Sequence, residues 1–201
     1  MKSWKLALPA AVLTAGLFAG PILAAQDDPW LSSYKLEAAG QYAQAAQPLE
    51  SIAKTNDLAQ VRLGYLLYLQ ARYPDAIRAY QRAQEMNSQS YDAVLGITLA
   101  LLAQGRWADA ATQAKSVLSN APGNYVANLR LLVAEEGLKD WKTMSAHAEE
   151  LAKHYPGDAT IWVYNARAAA WLGNNTRAAE AYRRVLQIVP GHLEAAKFIS
   201  R

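Results

Sequence analysis

His147 and His154 are the residues of this chain whose types and spacing come nearest to chemistry. They stand seven residues apart with Glu150 between them, so on a helix they share one face. Imidazoles and a carboxylate on one face are metal-ligand types. The zinc-protease pattern, however, sets two histidines four residues apart around a glutamate, and two histidine ligands fall short of the three or four a zinc site uses. The expectation is polar residues on a solvated face, with no metal. Glu135-Glu136 and Glu149-Glu150 read the same way. His192, just after Pro190-Gly191, reads as the opening of a last short helix. No phosphate loop, nucleophile elbow or cysteine is present. Asn174-Asn175-Thr176 fits a glycosylation acceptor, but it falls where a turn is expected. No set of residues supplies nucleophile, base and stabiliser together, so no catalytic residue and no cofactor is expected.

The elements that would carry these residues repeat. Pro122, Pro156 and Pro190 are 34 residues apart, and each is followed by glycine. A period of this size means stacked supersecondary units. The 3.6-residue apolar pattern predicts helix pairs over 29–39 and 42–54, 58–70 and 74–86, 91–104 and 108–119, 124–137 and 141–153, and 159–172 and 175–188. A short run over 192–200 follows. Gly40, Ala71, Gly105, Lys139 and Gly173 occupy the turn within each pair, where a left-handed residue closes the first helix. Tyr42, Tyr73, Trp107 and Trp141 follow and are expected to cover the joint between the two helices; in the last pair Asn175 stands there. Three residues further on come Ala45, Ala76, Ala110, Met144 and Ala178, small in all but one pair, for close helix approach. Pro48 lies inside the second helix of the first pair and is expected to kink it.

Composition sets the outer bounds. The chain has 201 residues, 52% hydrophobic, enough for one medium domain or a short repeat array. Lys2 and Lys5 precede an uncharged apolar run, Leu6 to Ala25, that ends in small residues. This is the layout of a secretory signal peptide over 1–25, cleaved after Ala25 or, second, after Ala24. The alternative is a retained membrane anchor. Removing 1–25 lowers the basic residues from 20 to 18 against 17 acids, so the net charge falls from +3 to +1. With no basic block, neither nucleic acid nor an anionic membrane is an expected partner. Without cysteine, stability must come from packing.

Two stretches carry a family resemblance: Leu63-Gly64, Tyr73-Pro74-Asp75-Ala76, Tyr80 and Ala83 in one, and Trp162, Gly173, Ala178, Tyr182 and Pro190 in the other. On these the chain resembles the tetratricopeptide repeat family over about 29–190. The resemblance implies an all-α, right-handed solenoid of five helical hairpins plus a short C-terminal capping helix, in a domain over 26–201. The repeats would be about 29–57, 58–90, 91–123, 124–157 and 158–191, with a cap over 192–201. In the cap, Leu193, Ala196, Phe198 and Ile199 are expected to cover the last hairpin, with Glu194, Lys197 and Arg201 outward.

The resemblance also implies a concave groove lined by the first helix of each pair. Placed on this sequence, its residues are Trp30, Tyr34 and Glu37; Val61, Tyr65 and Tyr68; Asp92, Leu95, Leu99 and Leu102; Leu129, Val133 and Glu136; and Val163, Arg167 and Trp171. The third helix pair is apolar on both stripes of its first helix, which marks a surface for something to cover. The expected occupant is a peptide segment or amphipathic helix of a protein partner. The alternative is that the protein covers the groove itself, through its N-terminal segment or through a second copy, with the groove then an oligomer interface. Arg167 is the single cation in this set. The expected function is a non-enzymatic adaptor or scaffold, exported and working in a bacterial periplasm.

Overall fold

In the computed structural model, residues 28–200 are described, and the signal-peptide reading of 1–25 lies outside them. The described residues form helices and no strand. Helix α1 covers Pro29–Ala38 and α2 Tyr42–Ala46. The next pairs are α3 Asp57–Leu69 with α4 Tyr73–Met86, and α5 Tyr91–Ala103 with α6 Trp107–Leu118. They are followed by α7 Tyr125–Gly137 with α8 Trp141–His154, α9 Ala159–Trp171 with α10 Asn175–Ile188, and finally α11 Leu193–Ile199.

Each first helix starts for the same physical reason. Asn56, Ser90, Asn124, Asp158 and His192 recur every 34 residues, and each side chain accepts a hydrogen bond from the backbone N–H three residues on. This satisfies one of the orphan donors of a helix start. Asp28 does the same for α1 through the N–H of Trp30. Each first helix also stops in the same way. Gly40, Gly105 and Gly173 have φ of 73°, 69° and 78°, and at the two turns without glycine Ala71 and Lys139 adopt 57° and 58°. The turn geometry therefore overrides residue preference at those two positions.

Pro48 disrupts its helix further than the expected kink. The segment predicted as one helix over 42–54 breaks into α2 and two 3-10 turns, Gln47–Leu49 and Ile52–Lys54. Proline removes a backbone donor and its ring obstructs the preceding turn. Ala45, Leu49 and Ala53 still reach the core.

The core runs through the stack as a series of linked clusters. Ala45, Ala76, Ala110, Met144 and Ala178 are all fully buried at the hairpin crossings. Tyr80 of α4 lies between α3 and α5, with its ring against Gly64 on one side and Gly96 on the other. Tyr73 packs on Tyr68 of its own hairpin, as expected, but the tryptophans that open α6 and α8 behave differently. Trp107 packs where a Cβ on Gly137 would lie, and Trp141 stacks on Trp171, with ring centres 5.0 Å apart and planes 4° from parallel. Both partners belong to the next hairpin, so these rings join neighbouring repeats rather than cover their own joint. Asn175 needs no such ring, because only the short α11 follows.

The last helix caps the array, in a phase other than the expected one. Ala195 is fully buried, and Phe198 and Ile199 pack on Tyr182 and Val185. Leu193 is 86% exposed and Ala196 is exposed as well. Glu194 turns inward to Arg167 instead of outward.

Candidate functional site

The first helices of the hairpins present one face, and its apolar exposure gathers near the N-terminal end. Trp30, Tyr34, Leu58, Val61, Arg62 and Tyr65, from α1 and α3, surround a cavity of about 490 Å³. Tyr34 and Leu58 are more than half exposed, and Tyr65 about a third. The floor is held by charge. Arg62 is buried, its guanidinium carbon sits 3.7 Å from the centre of the Tyr34 ring, and its Nη2 is 2.6 Å from Glu37 Oε2. That nitrogen makes a close ion pair without hydrogen-bond angles, so position and charge matter here more than a directed bond. Nε of Arg62 donates to Ser33 Oγ at 3.3 Å. A cation over a ring face and against a carboxylate pins both side chains, so Tyr34 is preset instead of free.

Of the expected groove residues, the structure brings Trp30, Tyr34, Val61 and Tyr65 together around this cavity. Tyr68 is half-buried between Tyr65 and Tyr73, at 6.4 and 5.6 Å between ring centres. Asp92 is exposed at the start of α5. The third pair does not leave an open apolar strip: Leu95 is 7% exposed in a core cluster with Val94, Val117 and Ala127, and Leu99 and Leu102 are half-buried. Neighbouring repeats cover what the sequence left uncovered. Leu129 and Val133 are half-buried, and Val163 is 7% exposed. Trp171, at 68%, is the most exposed aromatic of the set.

Arg167 is neither alone nor free. Its Nη2 lies 2.6 Å from Glu194 Oε2, its Nε donates to Glu194 Oε1 at 2.8 Å, and its Nη1 lies 3.2 Å from Glu136 Oε1. Tyr182 donates to Glu194 Oε1 at 2.6 Å. The Glu194 carboxylate is thereby held below the usual range, with the Arg167 hydrogen bond as the main cause. Arg62 and Arg130 add further cations on the first helices. Arg130 reaches the Leu95 carbonyl through Nη1, and burial pushes its guanidinium down from its ordinary value. The sequence signal for all three was a basic residue inside an otherwise apolar helix face.

The histidines also resolve differently. His154 is exposed and contacts Glu150 at 3.4 Å, as a solvated residue would. His147 is not solvated. Its Nδ1 is 3.0 Å from Glu135 Oε2 and its Nε2 is 3.0 Å from Asn128 Oδ1. Glu135 and Asn128 are buried, at 4% and 5%. The Asn128 amide nitrogen donates to the carbonyls of Pro122 and Asn124, which turns its oxygen toward His147. This is a polar clip between α7 and α8. No cluster of three metal-ligand side chains occurs among the described residues. His147→Ala leaves a buried carboxylate and a buried amide oxygen without their partner. It is expected to lower stability by about 2–4 kcal/mol in urea unfolding, whereas His154→Ala should leave the midpoint unchanged.

Tetratricopeptide repeat sequence models match the chain at residues 35–91, 61–125, 95–142 and 145–192. The chain therefore belongs to the tetratricopeptide repeat family, and its fold is the family's helical solenoid. A comparison with curated protein sequences gives no match. Among solved structures, MamA residues 41 to the end from Desulfovibrio magneticus RS-1 superposes with a TM-score of 0.71 at 15% identity, over 80% of this chain and 93% of that one. YrrB, described as a TPR protein with an unusual peptide-binding site, gives 0.70 at 12% identity, over 86% and 91%. MamA AMB-1 gives 0.69 at 16%, over 82% and 99%.

Proposed function

We propose that this protein is a non-enzymatic scaffold that binds a protein partner on the face formed by its first helices. The carrying observation is the preset aromatic cavity of Trp30, Tyr34, Leu58, Val61 and Tyr65. Tyrosine and tryptophan give large contact area at low entropic cost, and they concentrate binding energy in interfaces. The family's solenoid is a rigid platform for such a surface, and a peptide-binding site is attributed to the structurally similar YrrB. The occupant we propose is a peptide segment or amphipathic helix whose apolar side chains enter this cavity, with Tyr68 beside it against Tyr65. Export to a bacterial periplasm and a role in an envelope assembly belong to the same proposal. They rest on the layout of residues 1–25. No helix among the described residues is long and apolar enough to cross a membrane.

Leu58→Glu is the fitting test. Leu58 is 55% exposed and sits in the first turn of α3, where an acidic residue favours the helix dipole. The variant should keep its helical circular dichroism and lose the partner retained by wild-type residues 26–201 in affinity capture from envelope extract. Equal retention by both proteins would overturn the cavity as the binding site. Recovery of only the bait, with mass rising with concentration in light scattering, would replace the partner with a second copy.

A further inference from the structure

A second cleft lies away from the first-helix face. It opens between α8 and α10, is floored by α9 and holds about 480 Å³. Asn165 and Trp162 form its floor, with Glu149 and Arg177 on its wall and Glu180 and Arg184 at its rim. The 34-residue period puts Leu63, Ile97, Leu131 and Asn165 in one column. Three repeats thus use an aliphatic residue where the fourth member of the column is a carboxamide. Asn165 is 4% exposed, and among the described residues no hydrogen bond to its side chain is found. Its polar neighbours are already engaged. Trp162 Nε1 donates to the Pro156 carbonyl at 3.0 Å, Arg184 Nη2 donates to the same carbonyl at 3.3 Å, and Arg177 pairs with Glu149. The corresponding cleft near the N-terminus makes the contrast. Leu63 stands in the column there, and the polar floor residue, Gln60, donates to the Ala53 carbonyl at 2.8 Å.

Among the described residues the one sealed side-chain atom without a hydrogen-bond partner is Arg62 Nη2, so the unpaired amide of Asn165 opens into the cleft, where a ligand group can reach it. We propose that this cleft binds an extended peptide segment, with Asn165 pairing with one of its main-chain peptide groups. A side-chain amide carries the same complement as a peptide group, an acceptor oxygen and N–H donors, so it pairs with a backbone C=O and N–H together. The charges argue for a neutral group. Arg177 is neutralised by Glu149, Lys153 on the same wall pairs with Glu150 at 2.6 Å, and Glu180 and Arg184 stand four residues apart on α10 with opposite signs. An anion or a cation gains no net attraction there, whereas the uncharged main chain fits, and the Trp162 ring offers an apolar wall for one side chain.

The probe is an equimolar pool of acetylated, amidated heptapeptides, capped so that terminal charges play no part. It is titrated into ¹⁵N-labelled residues 26–201 and followed by NMR. The Asn165 side-chain amide resonances are expected to shift. Asn165→Leu restores the column, so it should raise the unfolding midpoint by about 2–4 °C and weaken pool binding by about tenfold or more. Asn165→Asp keeps the size, removes the N–H donors and should weaken binding as well. An unmoved Asn165 amide at millimolar peptide, shifts confined to residues around Tyr34 and Tyr65, or unchanged affinity in Asn165→Leu would each overturn the proposal.

Discussion

Adding a single methyl group at Gly96 is expected to destabilise the protein by about 2 kcal/mol. Two effects oppose each other. Alanine is the better helix former by about 1 kcal/mol at an interior position. Against this, a Cβ on Gly96 would fall 2.2 Å from the Tyr80 ring, and the nearest ring atoms are aromatic carbons of a buried side chain. Tyr80 is 2% exposed and has nowhere to go, because a Cβ on Gly64 would stand 2.7 Å from the opposite side of the same ring. Overpacking costs of about 1–3 kcal/mol apply where the surroundings yield. Here both flanking helices must move, which puts the cost at or beyond the upper end. The net loss should appear as a fall of about 4–8 °C in the thermal midpoint. Gly157→Ala is the control: nothing lies within 4 Å of its Cβ position, so it should change stability by less than about 0.5 kcal/mol. The cause is separable from helix propensity by combining Gly96→Ala with Tyr80→Leu. If the ring is the obstacle, the double variant recovers stability relative to the sum of the single ones. Strict additivity would refute the account.

Tyr80 also shows which parts of this fold are legible in sequence. The 34-residue spacing of prolines, the turn residues from Gly40 to Gly173 and the disruption at Pro48 are local signals, and except for α2, which ends at Ala46, the helices follow them to within about two residues. The column of Ala45, Ala76, Ala110, Met144 and Ala178 is a periodic signal, and all five are buried. Polar contacts between helices are a different matter. Glu135, His147 and Asn128 are 12 and 19 residues apart, on two helices, and each looks solvated when read along its own helix. Arg62 reaches Ser33 across 29 residues, and Arg167 reaches Glu194 across 27. Such pairs depend on which rotamers the stacked hairpins leave open, and apolar periodicity carries no information about that. The openness of the first-helix face fell between these cases. Its positions follow from the repeat, but burial of Leu95 and exposure of Tyr34 depend on side-chain sizes in the neighbouring hairpins. Asn165 is the opposite kind of residue, since its column in the 34-residue period already sets it apart from Leu63, Ile97 and Leu131.

Removing the cap should have the other large effect. Deletion of residues 192–201 takes away Ala195, Phe198 and Ile199, which cover Val163, Ala166, Ala181, Tyr182 and Val185. It also takes away the Glu194 carboxylate that holds Arg167 and Tyr182. A solenoid end without a cap exposes its seam. Losing about two large apolar side chains from such a seam costs about 3–5 kcal/mol, and the last hairpin should fray first. The electrostatic part is separable from the packing part. Glu194→Gln keeps the shape and removes the charge. Because about a third of both Arg167 and Glu194 stays in solvent, that substitution should cost only about 1 kcal/mol at neutral pH. Its pH dependence is the sharper reading. The folded value of Glu194 is depressed, so the wild type binds fewer protons there than the unfolded chain does. The contribution is complete above the ordinary glutamate value of about 4.3. It is lost as pH falls through the lower folded value. Wild-type stability should therefore decline on acidification more steeply than that of Glu194→Gln, and the two curves should converge at the acid end. Parallel curves across that window would mean that Arg167 gains nothing from the charge of Glu194, and that the cap holds the last hairpin through Ala195, Phe198 and Ile199 alone.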